Sequence, residues 1–288
     1  MEYLRGSAVA SAMGLYVICR YLNAHSDGRT EPELRKALEV LRSAQGDSDV
    51  ASGVLTASLA VGQSIGALTH ESSTSPWLLD PVIGDVMSTA NWRWEGFRGF
   101  LVARMMEQGT VQSLETGKAP DLIRGLTWFM QQNPLSPPSL SWEGGPYQLM
   151  KALNFDAIER SEQWRPFGRW AVALGLARAS ESANVLIPDA STAIGDQIPH
   201  LPRAATATEW LSALRDRLPA LGSNSMLEQL PSGGREWATV PPGLALGLLK
   251  LESAGVLTLE PSDDAADVVP LGLGATTRQV GRIIVEGD

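Results

Sequence analysis

The sequence predicts a mainly α-helical protein carrying small β-hairpins. Two observations lead there. Helical apolar spacing recurs along most of the chain, and three helical stretches run through a glycine into a pair of short aliphatic strands with a polar tip. The glycines are Gly66, Gly175 and Gly255; the first aliphatic residue of each returning strand, Leu78, Leu186 and Val268, follows after 12, 11 and 13 residues. Each glycine suits the left-handed turn that closes a helix before a strand. A third observation is that three helices precede the first hairpin, the order of a winged helix-turn-helix unit. The expected architecture is therefore tandem winged helix-turn-helix modules joined by a helical segment.

Met1 to Leu22 reads as the first helix, with Leu4, Val9, Met13, Val17 and Tyr21 on one stripe, and the turn Asn23 to Gly28 ends it. Thr30, Pro32 and Glu33 form an N-cap, a first-turn proline and a capping-box acid, opening a short helix with Leu34, Leu38 and Leu41 on its apolar face. A third helix over Asp49 to Ala67 leads into the hairpin Leu68 to Leu79, closing a first module over residues 1–81. Residues 82–135 form a helical connector. Val82 to Met106 and Asp121 to Gln132 are its helices, Gly109 to Pro120 joins them, and the proline-rich Asn133 to Ser139 is a stiff linker. The second module, 136–205, holds the helix with Trp164, Phe167 and Trp170 and the hairpin Leu176 to Asp189. The third, 206–288, holds the helix Leu244 to Leu251. Its hairpin pairs Val256 to Glu260 with Val268 to Leu271 across a tip at Pro261 to Asp264, and a last strand at Gln279 to Val285 is placed to join it. Ala220 to Trp237, containing Ser232-Gly233-Gly234, reads as a mobile linker.

Composition bounds the function. The 288 residues are 44% hydrophobic and 19% charged, which excludes a chain disordered over most of its length. The 23 Lys plus Arg against 32 Asp plus Glu give a net charge of -9, which excludes a uniformly basic nucleic-acid binder but not one basic face. The lone Cys19 excludes an internal disulfide, no stretch has the apolar length of a membrane span, and no signal peptide is evident, so a cytoplasmic protein that avoids membranes is expected.

Catalytic and metal-binding patterns are absent from the sequence, so no catalytic residue, metal or cofactor is expected. His25, His70 and His200 are scattered, without a second ligand at metal spacing. Glu115 to Ala119 resembles the end of a phosphate loop, but Gln112 stands where the first glycine is required and Ala119 replaces the magnesium-binding hydroxyl. Ile187-Pro188-Asp189 begins like the acidic half of a metal-dependent nuclease site, yet no acid-X-Lys triplet completes it. Asp189 therefore reads as the cap of a helix starting near Ser191 or Thr192. Asp263, Asp264 and Asp267 read as a solvated acidic loop.

The only basic face expected is on the second module. Arg160, Arg165, Arg169 and Arg178 bracket its last helix and hairpin, and Arg165 and Arg169 are four apart on one helical face. These are the candidate DNA-binding residues; pairing with Glu159, Glu162 and Glu181 is the competing reading. The third helix of the first module offers Gln63 but no Lys or Arg, and that of the third offers only Lys250. Asn91 to Phe100, rich in aromatics with Arg93 and Arg98, reads as a packed core with its arginine heads outward rather than as a base-stacking surface.

The run Trp164 to Leu176, with Leu186-Ile187-Pro188-Asp189 behind it, and the run Gly247 to Glu260, with Ser262 to Ala265, resemble the DpdG proteins over most of the chain. These accompany bacterial gene clusters that insert 7-deazaguanine bases into DNA and restrict unmodified phage DNA. The resemblance implies an accessory subunit of an anti-phage system with no assigned active site, and it carries over no functional residue. The expected function is thus a non-catalytic scaffold that holds other subunits of a defence complex and contacts double-stranded DNA through the second module. A winged-helix transcriptional regulator and a metal-dependent nuclease centred on Asp189 are the alternatives.

Overall fold

A computed structural model describes residues 2–5, 9–38, 48–72, 74–89, 93–231, 237–262, 268–274 and 276–287. They are mainly helical with four small antiparallel sheets, in two compact units, Met1–Gln108 and Gly109–Asp288. Among the described residues, no helix is long and apolar enough to cross a membrane.

In the first unit, helix α1 (Ala12–Asn23) begins eleven residues later than the apolar stripe suggests, because Ser11 is an N-cap. Its hydroxyl accepts the Gly14 N–H at 3.2 Å, and its backbone is extended, so the helix cannot continue upstream. Helix α2 (Glu31–Ala37) is opened by the expected capping box, with the Thr30 N–H and hydroxyl both donating to Glu33 Oε2 at 2.8 and 2.7 Å. Leu34 and Leu38 are buried; Leu41 lies outside the described residues. Helix α3 (Ser48–Ser64) then runs into strands β1 (Leu68–Thr69) and β2 (Leu78–Leu79), which pair antiparallel as Leu68 with Leu79 and Thr69 with Leu78. Helix α4 (Pro81–Thr89) follows, and α5 (Trp94–Thr116) continues to residue 116. The segment expected to begin a linker at Gly109 is helical instead. A Cβ there would sit 3.0 Å from Ile123, so the glycine serves close packing rather than a turn. Phe97 is buried and meets the Tyr16 ring at 5.2 Å, the packed core expected for the aromatic run; Asn91 and Trp92 lie outside the described residues.

The second unit continues with α6 (Asp121–Met130), α7 (Pro146–Leu153) and α8 (Ser161–Ala173), then strands β3 (Ala177–Ser180) and β4 (Val185–Pro188). The proline-rich segment before α7 is not a free linker. Pro138 O accepts the Leu186 N–H at 2.9 Å and the Leu140 N–H reaches Asn184 O at 3.0 Å, so extended backbone lacking a proline donor still lends its carbonyl to the edge of the hairpin. Next come α9 (Ser191–Gln197), β5 (Ala204–Thr206), α10 (Ala207–Arg217), α11 (Asn224–Leu227), α12 (Pro242–Ser253) and β6 (Leu257–Glu260). The expected mobile linker from Ala220 is packed up to Pro231, with Leu221, Met226 and Leu230 buried; Ser232-Gly233-Gly234 lies outside the described residues.

The third hairpin departs from expectation. Strand β7 (Val269–Leu273) pairs with β8 (Thr276–Val280), and β6 pairs with β9 (Arg282–Val285), whose other edge takes β5. The β7–β8 hairpin is an insertion between two strands that belong together. A local reading joins neighbours in sequence and cannot see the longer closure. The last strand, expected as one piece over Gln279 to Val285, divides at Gly281: Gln279 and Val280 end β8 against β7, and the remainder is β9, which joins β6. Asp263, Asp264 and Asp267 lie outside the described residues.

One backbone pattern recurs three times. Gly66, Gly175 and Gly255 have φ of 67°, 73° and 70°. After each, the next N–H bonds five residues back (Ala67 to Gly62, Leu176 to Ala171, Val256 to Leu251), while the glycine N–H bonds three back, the Schellman closure of a helix. Each following hairpin ends on an acidic residue whose N–H returns to the residue after that glycine: Asp80 to Ala67, Asp189 to Leu176 and Glu286 to Val256. In each, the returning strand also meets an upstream segment: Arg29 at Trp77, Ser139 at Val185, and β5 at β9.

These glycines are not equivalent under substitution. Nothing lies within 4 Å of a Cβ at Gly255, whereas one at Gly175 would stand 2.9 Å from Ala193 N. Gly255→Ala should cost only the left-handed penalty of about 1–2 kcal/mol. Gly175→Ala should cost at least about 1 kcal/mol more, through added strain in a packed site. Urea midpoints of the two variants test the order.

Candidate nucleic-acid interface

Helix α8 is positioned by its apolar face. Trp164, Phe167 and Trp170 are buried, the Trp164 and Phe167 rings stack at 5.2 Å, and Phe129 of α6 meets Phe167 edge-on at 5.5 Å. The Trp164 indole N–H donates to Leu140 O at 3.0 Å, which ties α8 to the strand segment before α7. The start of α8 is capped by its own buried Gln163, whose Oε1 accepts the Glu159 and Arg160 N–H groups at 2.8 and 3.1 Å. Sequence reasoning passed over Gln163, although a Gln at the third helical position is a capping-box signal.

The opposite face of α8 is exposed and carries Glu162, Arg165, Arg169 and Val172. Arg160 is exposed at the start of the helix and Arg178 is exposed on β3. Among the described residues, Arg160 and Arg165 form no ion pair, and the partner of Arg178 is Asp189 at 3.9 Å rather than Glu181. Partial burial and then the neighbouring Arg165 charge lower the Arg169 guanidinium below its ordinary value. Two like charges four residues apart on a helix repel, so this face favours an anion.

The other two helices that run through a closing glycine into a hairpin, α3 and α12, are placed differently. On α3 the exposed residues include Thr56, Ala60 and Gln63, none of them cationic. The first two turns of α12 are buried. A Cβ at Gly243 would stand 3.0 Å from Met130 and Pro188, and one at Gly247 would stand 2.9 Å from Ser191 N, so this face is filled by packing. Of the charges on α12, Glu252 pairs with Arg278 and Lys250 pairs with Asp189.

Asp189 is a buried and closely held side chain. It is 2% exposed; its Oδ1 accepts the Ser191 N–H at 3.0 Å and its Oδ2 accepts Lys250 Nζ at 2.5 Å. Lys250 also donates to Ser191 Oγ at 3.1 Å. Burial by itself would raise the Asp189 carboxyl, but the Lys250 ammonium and the Ser191 donors outweigh it and hold the group below the ordinary carboxylate range. The N-cap position of α9 is Ala190, so Asp189 is not the cap expected but stands one residue before it and accepts the first helical N–H; Asp80, directly before α4, accepts the Val82 N–H at 2.9 Å. What the sequence did not signal is Lys250, which lies 61 residues away.

A second carboxylate, Asp156, lines a cleft of about 320 Å³ together with Trp142, Tyr147 and Phe155. Its burial is opposed by Lys118 and by Arg124, whose Nη1 lies 2.5 Å away, and these bring it from 3.8 to about 2. Among the described residues, no group of three His, Cys, Asp or Glu is placed to hold a metal. His25 Nδ1 lies 2.7 Å from Tyr21 O, His70 stacks on Trp77 at 4.1 Å, and His200 ends a short 3-10 turn. Burial pushes the Cys19 thiol up, far from reactivity.

Two outcomes follow. Lys250→Met strands a buried carboxylate and should cost about 2–3 kcal/mol, below the range for fully buried pairs because Lys250 is partly solvated; Lys250→Met with Asp189→Asn should recover most of it in urea unfolding. Because Asp156 is depressed from 3.8 to about 2, its contribution is complete above pH 3.8 and is lost as pH falls toward 2. Asp156→Asn should therefore flatten acid unfolding over that window.

Compared with known proteins, the chain matches the DpdG-like family model over residues 2–265. No curated protein and no solved structure matches it.

Proposed function

The chain belongs to the DpdG-like family, and from that premise we propose that it is a non-catalytic accessory subunit of a bacterial DNA-modification and anti-phage system. It is built of three winged helix-turn-helix modules, holds partner subunits and touches duplex DNA through the second. The repeated order supports the module reading: helix, short edge segment, helix, long helix, Schellman glycine, strand, returning central strand. Arg29, Ser139 and β5 supply the edge segment in turn.

The observation that carries the DNA contact is the solvent face of α8. A winged helix places this element in the major groove, with its cations on phosphates and base edges. Of the three helices that run into hairpins, α8 alone among the described residues turns cations to an exposed face along its length, since α3 exposes none and the first turns of α12 are packed. The scaffold role is supported by the same contrast: the corresponding helix of the first module carries no cation and that of the third is packed along its first turns, so neither is furnished for a phosphate backbone. The nuclease alternative finds cations, Lys250 and Arg178, where Asp189 would need further metal ligands.

The full chain should bind a short DNA duplex weakly, with little sequence preference and a steep loss with salt. Arg165→Ala with Arg169→Ala should lower the slope of log affinity against log salt by about two while leaving the unfolding midpoint nearly unchanged. Fluorescence anisotropy across a salt series reads this. Tight sequence-specific binding by the isolated chain would overturn the accessory reading in favour of a regulator.

A further inference from the structure

We propose that Arg178 and Lys250 form a binding subsite for a DNA backbone phosphate, and that Asp189 is its built-in competitor. The inference rests on the duplex-contact reading of the second repeat and adds a residue of the third to that surface.

Both cations converge on one atom. Lys250 Nζ lies 2.5 Å and Arg178 Nη1 3.9 Å from the same Asp189 Oδ2. One carboxylate faces two cations, so the cluster retains an unbalanced positive charge. The carboxylate is 2% exposed, while the side chains of Arg178 and Lys250 are 63% and 36% exposed. The negative partner is therefore below the surface and the positive ones are at it, the arrangement that leaves charge available to an anion arriving from solvent.

Donor bookkeeping agrees. An ammonium has three N–H donors, and Lys250 uses two, on Asp189 Oδ2 and Ser191 Oγ, leaving one. At 3.9 Å the Arg178 contact is too long for a hydrogen bond, and Arg178 makes none among the described residues, so its guanidinium fork is open to a phosphate. A phosphate whose oxygens met Arg178 and the third donor of Lys250 would leave the Lys250–Asp189 bond in place and share the charge of both cations with Asp189. Arg178 lies on β3, the strand that follows α8 directly through Gly175, so the subsite continues the DNA-facing element. Lys250 brings α12 to the surface at its last turn, although its first turns are buried.

The phosphate and Asp189 compete for the same two cations, so removing the carboxylate charge should strengthen DNA binding, an effect opposite to that of structural damage. The test uses the full chain and a short duplex of random sequence in anisotropy titrations over a salt series, with circular dichroism as the check on folding. Arg178→Gln, at an exposed position, should weaken binding about three- to tenfold at low salt and reduce the salt slope by about one. Asp189→Asn should tighten binding by a similar factor. If Arg178→Gln binds like the wild type while Arg165→Ala with Arg169→Ala binds less, the subsite is wrong and the duplex reading of α8 stands. If folded Asp189→Asn binds no more tightly, the competition is wrong. If the wild type binds no duplex at any salt, the reading of the second repeat fails and the subsite with it.

Discussion

A carboxylate taken out of water must be paired, and Asp189 meets that requirement with a cation from a helix distant in sequence. Its position is set by the backbone: the N–H closes the hairpin onto Leu176 O at 3.3 Å, and Oδ1 starts the next helix through the Ser191 N–H. Those two bonds would suffice at a solvated turn, as they do at Asp80. The difference is that Asp189 is covered, because α12 lies over it with Gly243 and Gly247 letting the backbones approach. Burial without a cation would leave an expensive bare charge. Lys250, on that same covering helix, supplies it. The close helix approach and the ion pair therefore demand each other, and α9, β4 and α12 are joined by one consequence of burying one oxygen.

The same covering decides which surface is left to meet a ligand. Three helices end in the same Schellman glycine and lead into the same kind of hairpin, so backbone chemistry treats them alike. Packing does not. Helix α12 spends its glycines and leucines on its neighbours, while α8 turns Trp164, Phe167 and Trp170 inward and so leaves Arg165 and Arg169 outward. The rings anchor the helix by burying large apolar area, and the arginines are free of that task.

Much of the helical content was legible because its signals are local. The Thr30 capping box, the closing glycines and the aromatic stripe of α8 each lie within a few residues of the feature they specify. The errors share a cause as well. Met1 to Ala10 carries an apolar stripe, but Ser11 acts as a cap and breaks it. Gly109 has the composition of a joint, but contact with Ile123 makes it a helix position. The partner of β6 is β9, past an inserted hairpin, and that of Asp189 is Lys250; neither separation leaves a periodic trace. The exposed arginines could be nominated from spacing alone. That Arg178 faces Asp189 rather than Glu181 required the strand register.

The charge placement has a cost that the fold by itself does not explain. Arg165 and Arg169 share a face four residues apart, and Arg169 is driven below its ordinary value by partial burial and by its neighbour. Like charges at this spacing destabilise a helix by a few tenths of a kcal/mol. The chain as a whole has a surplus of acids, with a net charge of -9, yet the exposed face of α8 carries two arginines to the single acid Glu162. Long-range attraction to a polyanion is correspondingly poor, since the net field opposes approach. Within a Debye length of about 8 Å at physiological salt, however, the local cations govern. Under the proposed function, such a surface would contribute little to finding DNA and more to holding it once a partner had brought the two together, as suits a subunit inside an assembly better than one that searches alone.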